Sequence, residues 1–350
     1  RVLGRTLTVT IGCVLMVAGH FLTAFDASFV AAILCLFVGV GCFKGNIASQ
    51  VGELYAKNDL RRADGFQLFF LGIQIAVIAA PIVTGGLGAM SWHYGFGAAG
   101  VGMAVALDVY LSGRKYLPPD HRKVAAAAKA QGKVVDKLTG RDWAAMALLV
   151  AMLPVLAASA LGNQEIFNAY LLWGDAHYNL VFFGQTMPTA WLVSLDAIVS
   201  TVTLVGVVAF WRWYSKRRRE PDEIVKIAIG SLIAALGPLV LAAAAANEAA
   251  TGQKASLLVG LGFHIFNDIG FAMVFPVGLA LYSRAAPKSV VGLFIGVYYL
   301  HLAICNLATG KIAGLIETMS GAAFWTMHAA IVGGAGVVML VVAVLFRHLL

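Results

Sequence analysis

Ten apolar runs, each about 20 residues or longer, account for most of this chain. That length is what a helix needs to cross the hydrocarbon core of a bilayer. They are Thr6–Phe25, Ser28–Gly52, Gly65–Met90, Trp92–Leu111, Trp143–Trp173, Pro188–Tyr214, Ile224–Ala246, Ser256–Tyr282, Ser289–Leu315 and Phe324–Phe346. Lipid offers no hydrogen-bond partners to the backbone, so each run is predicted to be helical. The fold class is therefore an all-α integral membrane protein. With 60% hydrophobic residues, 12% charged residues and a mean hydropathy of +0.85, the chain lies outside the range of soluble domains.

The net charge of +8 invites a nucleic-acid reading until the basic residues are located. They lie in the short segments between apolar runs, where charge sets topology. Arg1, Arg5, Lys57, Arg61 and Arg62 fall on one side. So do the basic residues of 114–141, of 212–226 and of 284–288, together with Arg347. Only Lys254 and Lys311 fall on the other, beside Asp26, Asp175, Glu248 and Glu317. Ten alternating spans fit this pattern without exception. The expected location is the plasma or inner membrane, multi-pass, with both ends cytosolic and the lipid bilayer, not nucleic acid, as partner. Cys13, Cys35, Cys42 and Cys305 all fall in apolar runs without metal-ligand spacing and are read as small packing residues; no metal or cofactor is expected. The chain starts at Arg1 with neither a start methionine nor a signal peptide, so an upstream part is expected to be missing.

Residues 1–112 hold four spans, 113–141 a polar linker and 142–350 the remaining six. Pro118-Pro119 ends the fourth helix. The Ala- and Lys-rich stretch Val124–Leu138 reads as a basic amphipathic helix on the cytosolic surface, either a latch between halves or a solvated connector. Paired six-helix halves would give this layout if two N-terminal helices were absent.

Polar side chains inside the spans mark the candidate site, because an ionisable group in the membrane interior defaults to a substrate or ion pathway. Lys44 lies well inside the second span, with a snorkelling lysine as the alternative. Gly41, Gly45, Ala48 and Gly52 beside it form a small-residue stripe expected to admit a neighbouring helix. The third span sets Gln67, Gln74 and Pro81 on one face. The fifth carries Asn163, Gln164, Glu165 and Asn168, the sixth Asp196. The eighth carries His264, Asn267 and Asp268, followed by a kink expected at Pro276. Asp268 falls near the membrane midplane by helical rise, where an acid is a natural proton acceptor; a structural His264–Asp268 pair within one helix is the alternative. Tyr298, His301 and Cys305 share a face of the ninth span. Nothing supports ordinary enzymology: the sequence has no phosphate-binding glycine loop, no His-Glu-x-x-His and no paired metal ligands.

Gly41-Cys-Phe-Lys-Gly-Asn-Ile47 with Gly52-Glu-Leu-Tyr55 resembles the fourth-helix motif of the proton-dependent oligopeptide transporters, in the major facilitator superfamily. Arg61-Arg62-Ala-Asp-Gly-Phe66, Phe69-Phe-Leu-Gly-Ile-Gln74 and Ala80-Pro81 are similar to that family's fifth-helix signature. Trp92-His-Tyr-Gly-Phe-Gly-Ala-Ala-Gly100 is similar to its sixth-helix opening. Ser194-Leu-Asp196, Glu220-Pro-Asp222 and Pro276-Val-Gly-Leu-Ala-Leu281 extend the likeness into the second half. The resemblance implies a major facilitator-type bundle in which the ten spans are helices three to twelve of twelve.

Position by position, the resemblance implies that Lys44 holds a peptide's carboxylate end and takes part in proton coupling. Gln74 and Asp196 stand where the family has asparagines. Gln164-Glu165 resembles a Glu-Gln pair in reversed order, and Tyr298 stands at a pocket-lining aromatic position. The family's tenth-helix glutamate and the serine one turn on align with Phe271 and Phe275. Asp268, one turn earlier, is the residue able to replace that carboxylate. The expected function is proton-coupled uptake of di- or tripeptides or similar zwitterionic solutes by alternating access. Substrate contacts are expected from Lys44, Gln74, Asn168, Asp196, Tyr298 and Phe271, and proton coupling from Glu165, Asp268, His264 and Lys44. Other readings are a carrier of an amino-acid-like or nitrate-like solute, a non-transporting receptor or scaffold, and a membrane enzyme.

Overall fold

The computed structural model describes residues 4–54, 61–117, 138–287, 290–346 and 349, and divides into two compact units, Arg1–Val134 and Val135–Leu350. Most of the surface stretch Val124–Leu138 lies outside the described residues. Among the described residues, nine helical stretches are long and apolar enough to cross a membrane, and Gly72–Gly88 is a shorter apolar stretch within a tenth helix.

The N-terminal unit consists of α1 (Arg5–Leu22), α2 (Phe29–Glu53), α3 (Arg61–Gly88) and α4 (Trp92–Gly113). α1 packs against α2 and α4, and α3 against α4. Val9, Cys13 and Met16 of α1 form the core, against Leu36, Phe43, Met103 and Leu107. Gln50 is buried and ties three helices together. Its Nε2 donates to Thr6 Oγ1 at 3.2 Å, and its Oε1 accepts from the Tyr110 hydroxyl at 3.1 Å. Val30 and Phe37 are 73% and 79% exposed, as expected of side chains that face lipid.

The small residue that brings α2 onto α1 is Gly39; of the predicted stripe, Gly41 takes no part in that contact. A Cβ on Gly12 would stand 2.8 Å from the Gly39 carbonyl oxygen, and one on Gly39 would stand 3.0 Å from the Gly12 oxygen, whereas a Cβ on Gly41 would meet nothing within 4 Å. Gly12→Ala should therefore lower stability by about 1–3 kcal/mol, through forced backbone displacement. Gly41→Ala should be neutral or stabilising. Thermal unfolding of the two variants in detergent checks this.

The C-terminal unit begins with a span in four pieces: α5 (Gly140–Ala151), α6 (Leu153–Ser159), α7 (Leu161–Glu165) and α8 (Ala169–His177). Pro154 cannot donate to the carbonyl four residues earlier, and the first interruption falls at Met152. A capping box, with Thr139 and Asp142 bonding each other's backbone N–H, starts α5. A small hairpin, β1 (Val181–Phe182) and β2 (Gln185–Thr186), turns through Phe183 and Gly184 at φ 51° and 76°. Then come α9 (Trp191–Ser215), α10 (Glu223–Ala234), α11 (Leu236–Thr251), α12 (Leu257–Ala285), α13 (Val291–Ile312) and α14 (Gly321–Leu345). The α10–α11 interruption falls at Ala235, next to the Ala234 carbonyl, which loses its donor because Pro238 stands four residues on.

α12 lies at the centre of this unit, packed on α7, α9, α10, α11 and α13. The α10–α12 crossing is close because Gly270 lies directly on the Gly230 carbonyl and Ala234. Arg284 binds Glu223 in bidentate fashion, at 3.0 Å from Nε and 2.8 Å from Nη2, and so joins one end of α12 to the start of α10.

Candidate functional site

Because α12 is enclosed on so many sides, its polar residues are buried: His264, Asn267 and Asp268 are 0%, 1% and 2% exposed. The neighbouring helices accommodate them. A Cβ on Gly162 of α7 would stand 2.9 Å from Asn267 Oδ1, and one on Gly237 of α11 would stand 3.4 Å from Asn267 Cβ. Asn267 Nδ2 donates to Asp268 Oδ1 at 3.1 Å. The other Asp268 oxygen, Oδ2, is buried and has no hydrogen-bond partner among the described residues.

His264 does not pair with Asp268 along its own helix. Its Nδ1 lies 3.0 Å from Asp196 Oδ1 of α9, and its Nε2 lies 2.9 Å from the Tyr170 hydroxyl of α8. The imidazole that satisfies both carries hydrogen on Nδ1, donates to the carboxylate and accepts from tyrosine. Asp196, His264 and Asp268 each bring one polar atom within 4.8 Å of the others. Both ring nitrogens are already engaged, so as arranged the cluster offers no free imidazole lone pair to a metal ion. It can hold a proton: two carboxylates and a histidine converge in an apolar interior, and one carboxylate oxygen is unsatisfied.

A second acid is also fully buried. Glu165 closes α7, and its Oε2 accepts the Ala169 N–H at 3.1 Å, capping α8 across the break at residues 166–168. Its Oε1 lies 3.1 Å from His328 Nε2 of α14. His328 Nδ1 faces the Phe324 carbonyl at 2.9 Å and must therefore be protonated. The Nε2–Oε1 contact is a hydrogen bond between imidazole and carboxyl group. Every polar atom of this pair has a partner.

The remaining predicted residues are dispersed. Lys44 is exposed on α2 and Gln74 half-buried on α3. Asn168 lies in the α7–α8 break. Tyr298 is fully buried, and its hydroxyl donates to the Phe275 carbonyl at 2.6 Å beside Pro276, where it braces the proline-containing stretch of α12. Phe271 stacks on Phe275, with centroids 5.3 Å apart and planes at 15°. His301 Nδ1 bonds the Tyr298 carbonyl, and His301 Nε2 has no partner among the described residues.

Polar residues not foreseen from sequence include Tyr170, Tyr178, Gln50, His328 and Asn306, whose Nδ2 donates to Gln164 Oε1 at 3.0 Å. His328 and Asn306 carried a readable signal, a lone histidine and a lone asparagine in otherwise apolar runs.

This assembly of membrane-spanning helices is a major facilitator-type transporter fold. A crystal structure of the peptide transporter POT in complex with sulfate matches it with a TM-score of 0.88 at 22% identity, covering 100% of this chain and 82% of that one. A POT family transporter in complex with a thioalcohol conjugated peptide matches with a TM-score of 0.81 at 17% identity, covering 98% and 82%.

The sequence model of the POT family matches residues 6–135 and 143–327, and the chain belongs to that family. The peptide transporter YePEPT of Yersinia enterocolitica is 26% identical over 385 residues, 90% of this chain and 74% of that protein. A di-/tripeptide transporter of Lactococcus lactis is 23% identical over 410 residues, 98% of this chain and 81% of the relative. The chain is accordingly a multi-pass membrane transporter and not an enzyme.

Proposed function

We propose that the protein carries di- or tripeptides, or peptide-like zwitterions, across the plasma or inner membrane by alternating access, driven by protons. The observation that carries the proton part is the Asp196–His264–Asp268 cluster, where a buried carboxylate oxygen of Asp268 has no hydrogen-bond partner among the described residues and lies near a second carboxylate. Two carboxylates this close in an apolar interior repel, and a proton relieves the repulsion. Loading and unloading that proton changes the charge buried between α9 and α12. A proton that binds one conformation better than the other shifts the balance between them. The peptide part rests on relatives and a structural neighbour named as peptide transporters, that neighbour crystallised with alafosfalin, and on a POT family transporter crystallised with a thioalcohol conjugated peptide.

In this reading Lys44 takes the substrate carboxylate and Gln74 is a polar contact in the N-terminal unit; in the C-terminal unit, taken by itself, Asn168 and Asp196 are polar contacts and Phe271 and Tyr298 aromatic ones. Asp268 and His264 carry the proton, and the saturated Glu165–His328 pair is a second, tighter acid site. An ion pair to Lys44 should contribute about 1.5–3 kcal/mol. Lys44→Ala should therefore raise the KM for a dipeptide by about tenfold or more, and a C-terminally amidated dipeptide should lose the preference. Uptake competition in proteoliposomes measures both. Equal inhibition of the variant and the parent by free and amidated peptides would remove Lys44 from the site.

A second reading keeps the carrier and changes the solute. The Phe271–Phe275 stack occupies the positions where the family resemblance predicts a carboxylate and a hydroxyl, which favours a solute without a free amine. A competition screen of dipeptides against N-acetylated dipeptides and amino-acid-like solutes separates the two readings.

A further inference from the structure

Asp196, His264, Tyr170 and Tyr178 form one series of hydrogen bonds, from α9 and α12 in the interior to the loop that follows α8. The contacts are 3.0 Å from Asp196 Oδ1 to His264 Nδ1, 2.9 Å from His264 Nε2 to the Tyr170 hydroxyl, and 3.5 Å between the two tyrosine hydroxyls. No member is more than 6% exposed. Aromatic rings wall the series in: Tyr170 stacks on Phe263 at 4.8 Å and 22°, and Tyr178 meets Trp173 edge-on at 5.1 Å. α12 makes room for both hydroxyls at Gly260, where a Cβ would stand 3.0 Å from each oxygen. Tyr178 is fixed beyond α8 by a bridge to Ala255, next to the surface pair His177–Glu248 at 2.8 Å.

A packing role would need the rings but not the hydroxyls, nor a glycine opposite them. The two hydroxyls and the neutral imidazole each donate and accept, and the carboxylate at the end accepts, which is what stepwise proton transfer requires. Among the described residues, the other elements around α12 add no acid or base hydrogen-bonded to this series. α7 and α11 present Gly162 and Gly237, and α10 presents Gly230 and Ala234. Glu165 is held by His328, and Tyr298 of α13 is bonded at Phe275. Among the described residues, the titratable groups acting on Tyr170 are members of the series and Asp268; the buried His301 of α13 lies beside Phe275 and Tyr298.

We infer that this series is the route by which protons travel between the loop end of the C-terminal unit and the Asp196–Asp268 carboxylates. The inference rests on the proton-driven reading above and adds the path. In one passage Tyr178 gives its proton to the Tyr170 oxygen, and Tyr170 gives its own to His264 Nε2. His264 releases the Nδ1 proton to Asp196, and Tyr178 regains a proton from a hydronium ion. One proton enters and one is delivered; no other bond changes. Rotation of the hydroxyls resets the tyrosines; the imidazole, left with hydrogen on Nε2 and none on Nδ1, regains its starting form only by losing the Nε2 proton and taking one at Nδ1.

Tyr170→Phe and Tyr178→Phe keep the rings and remove the relay. In proteoliposomes, the ratio of pH-gradient-driven dipeptide uptake to dipeptide exchange should fall by about tenfold or more in each, with the parent's solvent deuterium isotope effect on driven uptake altered. Tyr282→Phe, which removes a buried hydroxyl bonded to the Leu149 carbonyl at 2.5 Å, is the control and should keep the parental ratio. If the parent shows gradient-driven uptake and Tyr170→Phe matches it in ratio and isotope effect, the route is wrong while proton drive stands. If the parent shows no gradient-driven uptake, the underlying reading fails first. Should Tyr170→Phe not fold, Tyr178→Phe with Gly260→Ala decides: parental ratios in both overturn the route.

Discussion

Asp268→Asn is expected to remove gradient-driven uptake, reducing it to the level of protein-free liposomes. The substitution is nearly isosteric, and its carbonyl oxygen can still accept the Asn267 amide now bonded to Oδ1 at 3.1 Å. The folded unit should therefore persist. What is lost is the oxygen that has no partner among the described residues and, with it, the capacity to take up a proton beside Asp196. The parent should transport faster as the outside is made more acidic, because the gradient then loads the cluster from that side. The variant should show a flat pH profile. Uptake of a labelled dipeptide at several external pH values, with the interior held constant, provides the check. A variant that keeps the parental slope would assign the coupling proton to another group, with Glu165 next in line.

His328→Ala is expected to be the most destabilising single change among the polar residues of the C-terminal unit. Glu165 and His328 are both fully buried and meet at 3.1 Å. Removing the imidazole leaves a carboxylate uncompensated in an apolar core, a loss of about 3–5 kcal/mol. Adding Glu165→Gln should recover a large part of it, since an amide has no charge to neutralise and its oxygen can keep the bond to the Ala169 N–H. Glu165→Gln alone should lower stability modestly and keep the pH dependence of uptake. Thermal unfolding of the three variants in detergent, set beside their uptake profiles, tests the assignment. Loss of pH dependence in Glu165→Gln at parental stability would move the coupling role from Asp268 to Glu165. The reason for placing Asp268 first is saturation: every polar atom of the Glu165–His328 pair has a partner, whereas Asp268 has an oxygen left over.

The helices were legible because a bilayer imposes a minimum apolar length, and that length is written directly in the residues. Their interruptions were only partly legible. Pro154 and Pro238 mark two of them, but the break after Glu165 has no proline and depends on the glutamate folding back to cap α8. The buried acids could be located because a carboxylate in an apolar run is conspicuous. Their partners could not, because helical spacing relates only residues of one segment. Thus His264 and Asp268, four residues apart, suggested a pair, while the tertiary fold delivers Asp196 of α9 and Tyr170 of α8 to the imidazole. The same blindness left the α1–α2 contact at Gly12 and Gly39 unforeseen. A glycine-rich face says that a neighbour can approach, and only the fold shows that Gly12 does so at Gly39. His328 was passed over because a single imidazole in a very apolar span pointed to nothing until Glu165 stood opposite it.

Proton drive by the C-terminal cluster is the centre of this account, and simultaneous recording of dipeptide and proton movement in proteoliposomes tests it most directly. An inward pH gradient should drive dipeptide accumulation, accompanied by internal acidification that depends on the dipeptide, and a protonophore should abolish accumulation. In Asp268→Asn both signals should disappear together. Dipeptide accumulation in the parent without acidification, or undiminished acidification in Asp268→Asn, would contradict it.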